Sequence, residues 1–148
     1  MLDVATGGGR HARLLASMGF QVDAVDRDLT RFEAVPGNVS LLEADIESGP
    51  WPYAGRCFDA IVVTNYLHRP LMATLASSLE PGGLLVYETF ARGQERFGKP
   101  SNPDFLLEPG ELLEVVRGKL RVLAFEDLVV DDPVPAAVQR IAAAAFIG

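Results

Sequence analysis

Cysteine is almost absent from this sequence. Cys57 is the only one in 148 residues, so it has no partner for an internal disulfide and cannot alone form a zinc cluster. We predict no metal site. This use of cysteine is typical of a protein from a reducing compartment, and we expect a cytoplasmic location.

The sequence also lacks a long apolar run and an excess of basic residues. No stretch of about 18 apolar residues is available to cross a bilayer, and the N-terminus does not resemble a signal peptide. Twenty acidic residues against thirteen lysines and arginines give a net charge of −7, which disfavours binding to the phosphate backbone of nucleic acids. We therefore expect neither a membrane nor a nucleic acid as a partner.

Apolar residues, by contrast, are plentiful. They make up 49% of the chain, and charged residues make up 22%, which is typical of a globular protein. A chain of this length buries roughly 70% of the surface of its unfolded state and forms one domain. Because no linker, repeat or low-complexity tract interrupts the sequence, we predict a single domain over 1–148.

Short apolar runs alternate with helix-like stretches, which predicts an α/β fold with a parallel sheet between helices. The predicted strands span 2–5, 20–26, 39–44, 58–64, 84–90 and 120–130. The predicted helices span 10–18, 28–35, 70–79 and 109–117. The last apolar stretch, 136–147, is rich in alanine, and propensity alone predicts a helix there. Loop 91–108 is expected to be functional, since compact domains contain few loops of this length.

The segment DVATGGG joins the first predicted strand to the first predicted helix. Its glycines allow a ligand to approach the backbone beside a helix N-terminus. Gly7, Gly9 and Ala12 also fit the GxGxxA spacing of dinucleotide-binding turns, although that spacing alone has low specificity. The turn predicts a site for a nucleotide-like cofactor.

Acidic residues follow at the ends of the next two strands. Asp26 ends the second strand, where a carboxylate can accept hydrogen bonds from both ribose hydroxyls of an adenosine cofactor. Asp45 follows the third strand, where an acid can bind the exocyclic amine of adenine. The glycine turn and Asp26 fit any adenosine cofactor, NAD included. Asp45 is the feature that distinguishes the other adenosine cofactors from NAD.

Together these motifs resemble those of class I S-adenosylmethionine-dependent methyltransferases. DVATGGG is followed by AVD at Asp26, AD at Asp45, a fourth strand FDAIVV and the turn PGG, in matching order and spacing across nearly the whole chain. Within that class, GGGRHA, VDRD, NYLHRP and YETF are similar to small bacterial methyltransferases of the tellurite-resistance type. The resemblance implies a Rossmann-like three-layer sandwich with a seven-stranded sheet of order 3-2-1-4-5-7-6. Its last strand is antiparallel, so the resemblance predicts a strand over 136–147.

The resemblance also implies S-adenosyl-L-methionine as the cofactor, together with the residues that bind it. Five residues in and before the glycine turn would surround its methionine part: Asp3, Ala5, Thr6, Gly7 and Gly9. Asp26, with Arg27 beside it, would bind the ribose, and Asp45 and Ile46 would lie at the adenine. The backbone of Asn65 would lie beside the methionine end. Ala5 stands where many members of the class carry glycine.

Methyl transfer from a sulfonium depends on positioning and on exclusion of water more than on covalent catalysis. If the acceptor must lose a proton, the candidate bases are polar side chains at the C-terminal edge of the strands. These are Tyr66, His68 and Glu88. Structural roles are open for all three: packing for Tyr66, the start of a helix for His68, and loop support for Glu88.

The loop after the fifth strand is the candidate for binding the acceptor, which we expect to be a small molecule. Arg92, Arg96 and Lys99 lie there with Phe90 and Phe97 in an otherwise acidic chain. This local positive charge would suit an anionic acceptor. A solvated charged loop is the alternative interpretation, so Arg92, Arg96 and Phe97 are the substrate-binding candidates.

Two other functions fit the same motifs. An NAD-dependent oxidoreductase would use the same turn and Asp26, but it normally needs a catalytic region beyond the cofactor half. A non-catalytic or truncated cofactor-binding module is the other alternative, because related methyltransferases carry helices before the first strand. We expect an N-terminal segment of this kind to be missing before Leu2, which would leave an open pocket whose apolar rim favours a homodimer.

Overall fold

The computed structural model describes residues 1–148 and contains one sheet of seven strands in the order β3-β2-β1-β4-β5-β7-β6. The strands are β1 (Leu2–Val4), β2 (Val22–Asp26), β3 (Val39–Glu43), β4 (Phe58–Thr64), β5 (Leu79–Phe90), β6 (Leu120–Val130) and β7 (Ala136–Ala145). The helices are α1 (Arg10–Ser17), α2 (Met72–Ser77) and α3 (Glu111–Val116).

The direction of the strands agrees with the predicted fold. Strands β1 to β5 are parallel to one another, whereas β7 is antiparallel to both β5 and β6. The predicted strand order and the antiparallel last strand are therefore confirmed. The alanine-rich segment is a strand despite its helix propensity, because Ala143 pairs with Leu85 and Ile141 pairs with Tyr87 deep in the core.

The two faces of the sheet are covered unequally. Helices α2 and α3 lie on one face and enclose a core of 22 buried residues, which includes Leu75, Leu85 and Leu112. Helix α1 lies on the other face and encloses a second cluster of 6 buried residues, among them Ala12 and Phe32. Helix α1 packs mainly against β1, β2 and β3, so the third layer consists of this helix alone.

The rest of the α1 face, over β4, β5, β7 and β6, carries no helix. Val86 is 38% exposed there, whereas its neighbour Leu85 on the opposite face is 2% exposed. Polar residues cross the middle of this open face: Arg140 on β7 lies 2.9 Å from Glu88 on β5 and 3.4 Å from Glu126 on β6. We call this region the open face.

No helix in the structure is both long enough and apolar enough to cross a membrane.

The predicted helix over 28–35 is wrong. The backbone N–H of Asp28 donates to the side chain of Asp26, and the N–H of Thr30 donates to the side chain of Asp28. Such turns built by aspartate compete with helix formation. Ala34 has φ of +48°, which also ends any helical course. The segment is therefore a series of turns that lies against the glycine turn.

Other boundaries differ by smaller amounts. The predicted helix over 70–79 is a single 3₁₀ turn, Arg69–Leu71, followed by the short α2. Strand β5 begins at Leu79 rather than at 84, because Leu79 pairs with Phe58 and the register then shifts around the PGG turn. Loop 91–108 holds two 3₁₀ turns and a bridge between Ala91 and Leu107.

Candidate functional site

A cavity of about 1050 Å³ opens at the C-terminal edge of the parallel strands. The segments that follow β1, β2, β3, β4 and β5 all contribute to its lining, together with α1 and loop 91–108. Ligands of open α/β sheets bind at this edge, where strand order reverses between β1 and β4. The cavity is therefore the candidate functional site.

The glycine turn forms the floor of the cavity beside β1. Ala5 and Gly7 have φ of +55° and +58°, the left-handed region that favours small residues. Asp3 is buried beneath the turn and accepts hydrogen bonds from Thr6 Oγ1 at 2.7 Å and from the N–H of Ala12 at 3.1 Å. Burial raises the pKa of Asp3, and the hydrogen bond from Thr6 opposes that rise. Asp3 on β1 thus connects the turn and α1 to this strand through hydrogen bonds.

Asp26 lies at the end of β2, directly beside the turn. Its Oδ2 accepts the N–H of Gly7 at 2.8 Å, and its Oδ1 accepts the N–H of Asp28 at 3.1 Å. Each carboxylate oxygen has further acceptor capacity, and Asp26 lines the cavity. The turn therefore holds a carboxylate in a fixed orientation toward the space where a ligand would lie.

Asp45 and Ile46 line the cavity after β3. Asp45 Oδ1 accepts the N–H groups of Glu47 and Ser48, and Oδ2 accepts the hydroxyl of Ser48. These hydrogen bonds, led by that of the Ser48 hydroxyl, lower the pKa of Asp45. The carboxylate is thus ionised and shapes the turn after β3, while Ile46 supplies an apolar surface beside it.

Three polar side chains meet where the segments after β3 and β4 approach each other. The Tyr66 hydroxyl donates to Glu47 Oε2 at 3.1 Å, and His68 Nδ1 lies 3.5 Å from Glu47 Oε1. Burial, followed by the charge of Glu47, raises the pKa of Tyr66 well above its usual range. Tyr66 is therefore a hydrogen-bond donor that joins the two segments, and it does not act as a base at neutral pH.

Asn65 ends β4 in a left-handed conformation, with φ of +55°. Its N–H donates to the carbonyl of Glu88 on β5 at 2.9 Å. Asparagine tolerates this conformation better than most residues. The strand thus turns sharply at the cavity wall and brings the backbone of Asn65 to its surface.

Nine of the ten residues predicted to bind the cofactor line this one cavity. They are Asp3, Ala5, Thr6, Gly7, Asp26, Arg27, Asp45, Ile46 and Asn65. Gly9 does not line it, because Gly9 lies against the ring of Phe32 behind the turn. The role of Gly9 in this structure is to let the start of α1 pack closely.

The candidate bases do not all reach the cavity. Tyr66 lines it, and His68 lies just behind through its contact with Glu47. Glu88 faces the open face instead, where it pairs with Arg140 and lines a separate cavity of about 330 Å³. That environment suits a structural ion pair.

The substrate-binding candidates of loop 91–108 lie outside the cavity lining. Arg92 lies 3.7 Å from Glu108, and Arg96 donates to the carbonyl of Gly93 at 3.2 Å. The Arg96 guanidinium also stacks on the Phe97 ring at 5.4 Å from its centre. The loop instead presents Pro100 and Phe105 to the cavity.

Arg69 holds this loop in place. Its guanidinium donates to both carboxylate oxygens of Glu111, at 2.7 and 3.0 Å, and to the carbonyls of Asp104 and Leu106. Phe105 lies between those two carbonyls in the chain. Arg69 therefore positions the aromatic wall of the cavity without lining it.

Several lining residues carry no motif that a single sequence would reveal. Glu47 follows Asp45 by only two positions and resembles any exposed turn residue. Four arginines also line the cavity: Arg10, Arg13, Arg27 and Arg31. Of these, only Arg27 was predicted, from its place after Asp26. The structure contains no cluster of three or more metal-ligating side chains.

Comparison with known families identifies the class of protein. The sequence profile of a family described as "Methyltransferase domain" matches residues 1–83, which include the glycine turn, Asp26, Asp45 and Asn65. The chain belongs to this methyltransferase family. No curated protein matches the sequence.

Solved structures show the same fold at low sequence identity. TehB from Haemophilus influenzae is 15% identical with a TM-score of 0.77, and the match covers 97% of this chain but 57% of that protein. An S-adenosylmethionine dependent methyltransferase from Mesorhizobium loti is 15% identical with a TM-score of 0.74, covering 97% and 89% of the two chains. A 16S rRNA (adenine(1408)-N(1))-methyltransferase from Catenulisporales acidiphilia is 18% identical with a TM-score of 0.66, covering 98% and 83%.

Proposed function

We propose that this protein is an S-adenosylmethionine-dependent methyltransferase that acts on a small-molecule acceptor. The observation that carries the proposal is Asp26, whose carboxylate is fixed by the N–H of Gly7 and faces the same cavity as Asp45 and Asn65. Membership of the methyltransferase family supports it. The acidic surface, with a net charge of −7, favours a small acceptor over RNA or DNA.

The residues present fit S-adenosylmethionine. Asp26 has acceptor capacity for ribose hydroxyls, and the apolar side chain of Ile46 offers a surface for adenine. The turn at Ala5 and Gly7 can present its backbone to the methionine part, since neither residue carries a large side chain of its own. When bound, the cofactor supplies an electrophilic methyl group on a positively charged sulfur.

The protein contributes positioning and exclusion of water rather than a covalent step. Phe90 and Phe105 contribute apolar surface to the cavity. Tyr66 remains protonated and donates to Glu47, so it orients the segment after β4 and removes no proton from the acceptor. Acceptors that already carry a lone pair at neutral pH suit such a site best.

Titration calorimetry with S-adenosylhomocysteine tests the cofactor assignment. The wild-type protein is expected to bind it, and Asp26→Asn is expected to weaken binding by about tenfold or more, since a charged acceptor contributes about 1.5–3 kcal/mol. Asp59→Asn is the matched control, because Asp59 is exposed on β4 and outside the cavity. Binding of NAD without binding of S-adenosylhomocysteine would contradict the proposal.

Transfer itself requires a separate measurement. Incubation with tritiated S-adenosylmethionine and a broad panel of small acceptors is expected to give labelled product that depends on Asp26. Tight binding of S-adenosylhomocysteine with no transfer to any acceptor would instead indicate a non-catalytic cofactor-binding module.

A further inference from the structure

The arginines of this protein divide sharply by location. Five of the seven outside the cavity form ion pairs with carboxylates: Arg56, Arg69, Arg92, Arg117 and Arg140. None of the four that line the cavity does so. In a chain with twenty acidic residues, this contrast needs an explanation.

Two of the four arginines flank the glycine turn. The Arg31 guanidinium lies over the turn, with its Nη2 3.1 Å from the position that a Cβ on Gly7 would occupy. Arg10 begins α1 on the other side and has only His11 Nε2 within hydrogen-bond distance, at 3.2 Å. Arg13, by contrast, donates to the carbonyl of Ala34 and stacks on Phe32. Arg10 and Arg31 are thus exposed cations at the mouth of the cavity.

The acidic residues of the cavity form no ion pair with these arginines, and each accepts hydrogen bonds from other groups. Asp3 is held by Thr6 and Ala12, Asp26 by Gly7 and Asp28, Asp45 by the turn that follows it, and Glu47 by Tyr66. The lining therefore holds four carboxyl groups and four guanidinium groups. The net charge of −7 belongs entirely to the rest of the chain.

A bound cofactor would add positive charge to this cavity. S-adenosylmethionine carries two cationic groups, the sulfonium and the ammonium, against a single carboxylate. That carboxylate can satisfy at most one or two of the arginines, and the sulfonium leaves the filled cavity more positive than the empty one. An acceptor with negative charge would be attracted to the filled cavity and would lie near the sulfonium.

From this arrangement we infer that the methyl acceptor is a small anion, an organic molecule with a phosphate or carboxylate group that Arg10 and Arg31 bind. The inference rests on the proposed function and names the substrate class of the same site. Guanidinium groups bind both kinds of anion through paired hydrogen bonds. A long polyanion such as RNA is disfavoured, because the chain outside the cavity lining carries a net charge of −7.

Calorimetry on the protein saturated with S-adenosylhomocysteine tests this inference with inorganic phosphate as the probe. Phosphate is expected to bind to the complex, and the double variant Arg10→Gln/Arg31→Gln is expected to weaken that binding by at least about fivefold. The control is Lys119→Gln/Arg121→Gln, which also removes two positive charges but lies outside the cavity. Thermal melting confirms that both variants fold.

The outcomes separate the two proposals. Failure of S-adenosylhomocysteine to bind would contradict the proposed function itself. If S-adenosylhomocysteine binds but displaces phosphate, the arginines serve only the carboxylate of the cofactor, and the inference is wrong. It is also wrong if phosphate binds the arginine variant with the same affinity as the wild type. A short RNA oligonucleotide that binds the complex more tightly than phosphate at physiological salt would contradict it too.

A transfer assay identifies the anionic group. Matched phosphorylated, carboxylated and uncharged compounds are offered with tritiated S-adenosylmethionine, and label is expected only in members of one charged series. The arginine variant is expected to raise KM for that series by a larger factor than it raises the Kd of S-adenosylhomocysteine. Equal labelling of the uncharged series would overturn the inference.

Discussion

Gly9 lies in close contact with Phe32 at the point where the glycine turn leads into α1. Its φ of +84° is left-handed, and the ring of Phe32 fills the space that a Cβ would need. Gly8 differs on both counts, since its φ is not left-handed and a Cβ there would meet only the carbonyl of Arg31 at 3.6 Å. The two neighbouring glycines thus have unequal roles.

Gly9→Ala is therefore expected to destabilise the protein by about 2–4 kcal/mol, through backbone strain and overlap with Phe32. Gly8→Ala serves as the control and is expected to change stability by less than about 1 kcal/mol. Urea unfolding followed by circular dichroism measures both values. Equal stability of the two variants would show that Phe32 can move away without cost.

The residues of the site differ in how well sequence predicts them. Asp26 and Asn65 stand at fixed distances from strand ends, so the order of motifs places them at the cavity. Glu47 and Arg31 reach the same cavity only because turns after β2 and β3 fold back over it. Their positions depend on tertiary contacts, such as the hydrogen bond from Tyr66 to Glu47, and no local pattern in one sequence encodes those contacts.

Strand β5 shows at the scale of an element how differently the two faces of the sheet are covered. Leu85 points into the 22-residue core, whereas Val86 points to the open face. Leu85→Ala is expected to cost about 2–5 kcal/mol, because it leaves a cavity in a packed core. Val86→Ala is expected to cost less than about 1 kcal/mol, as measured by urea unfolding. A large loss for Val86→Ala would mean that another surface covers the open face in solution.

The ion pair between Arg69 and Glu111 of α3 is expected to stabilise the protein to a degree that depends on pH. Burial opposes ionisation of Glu111, but the hydrogen bonds from Arg69 and from the N–H of Glu108 outweigh it, so the pKa of Glu111 is lowered. A carboxyl group with a lowered pKa in the folded state stabilises the protein above its ordinary pKa, about 4.3 for glutamate. That stabilisation is lost as the pH falls through the lowered pKa.

Arg69→Met is therefore expected to cost about 1–3 kcal/mol near neutral pH, and its deficit relative to the wild type should shrink as the pH falls below about 4. The hydrogen bonds to the carbonyls of Asp104 and Leu106 do not titrate, so part of the deficit remains. Arg117→Met is the control, since the Arg117–Glu114 pair is 73% and 64% exposed and solvent screens it strongly. A deficit that does not change with pH would contradict this role for Glu111.

The predicted elements fail where side chains replace backbone hydrogen bonds. Segment 28–35 has helix-compatible residues, but Asp26 and Asp28 bind the N–H groups that would begin the helix. The predictions succeed where periodicity reflects burial, as in β4, whose bounds, Phe58–Thr64, agree with prediction. Strand β7 required the family resemblance, because alanine favours a helix and only pairing with β5 determines the strand.

At the scale of the whole molecule, ligand binding and folding should be linked. A ligand that binds only the folded state at a hundred times its Kd adds about 2.7 kcal/mol to the free energy of unfolding. S-adenosylhomocysteine is expected to do so for the wild type. At the same concentration, a tenfold weaker Asp26→Asn variant gains about 1.4 kcal/mol.

Urea unfolding in the presence of the ligand measures this difference, and NAD at the same concentration is expected to leave the curve unchanged. Stabilisation of Asp26→Asn equal to that of the wild type would show that Asp26 does not contact the ligand. That result would place the ribose elsewhere in the cavity.

The hairpin of β6 and β7 stands apart from the site in one respect. The lining of the cavity ends at Phe105 in the chain, and neither strand of the hairpin contributes to it. The turn that joins them, 131–135, is exposed and lies beyond the regular pairing of the two strands. A fluorophore or a surface linker attached in this turn would therefore report on or immobilise the protein without entering the cavity, which makes the turn the preferred attachment point for ligand screening.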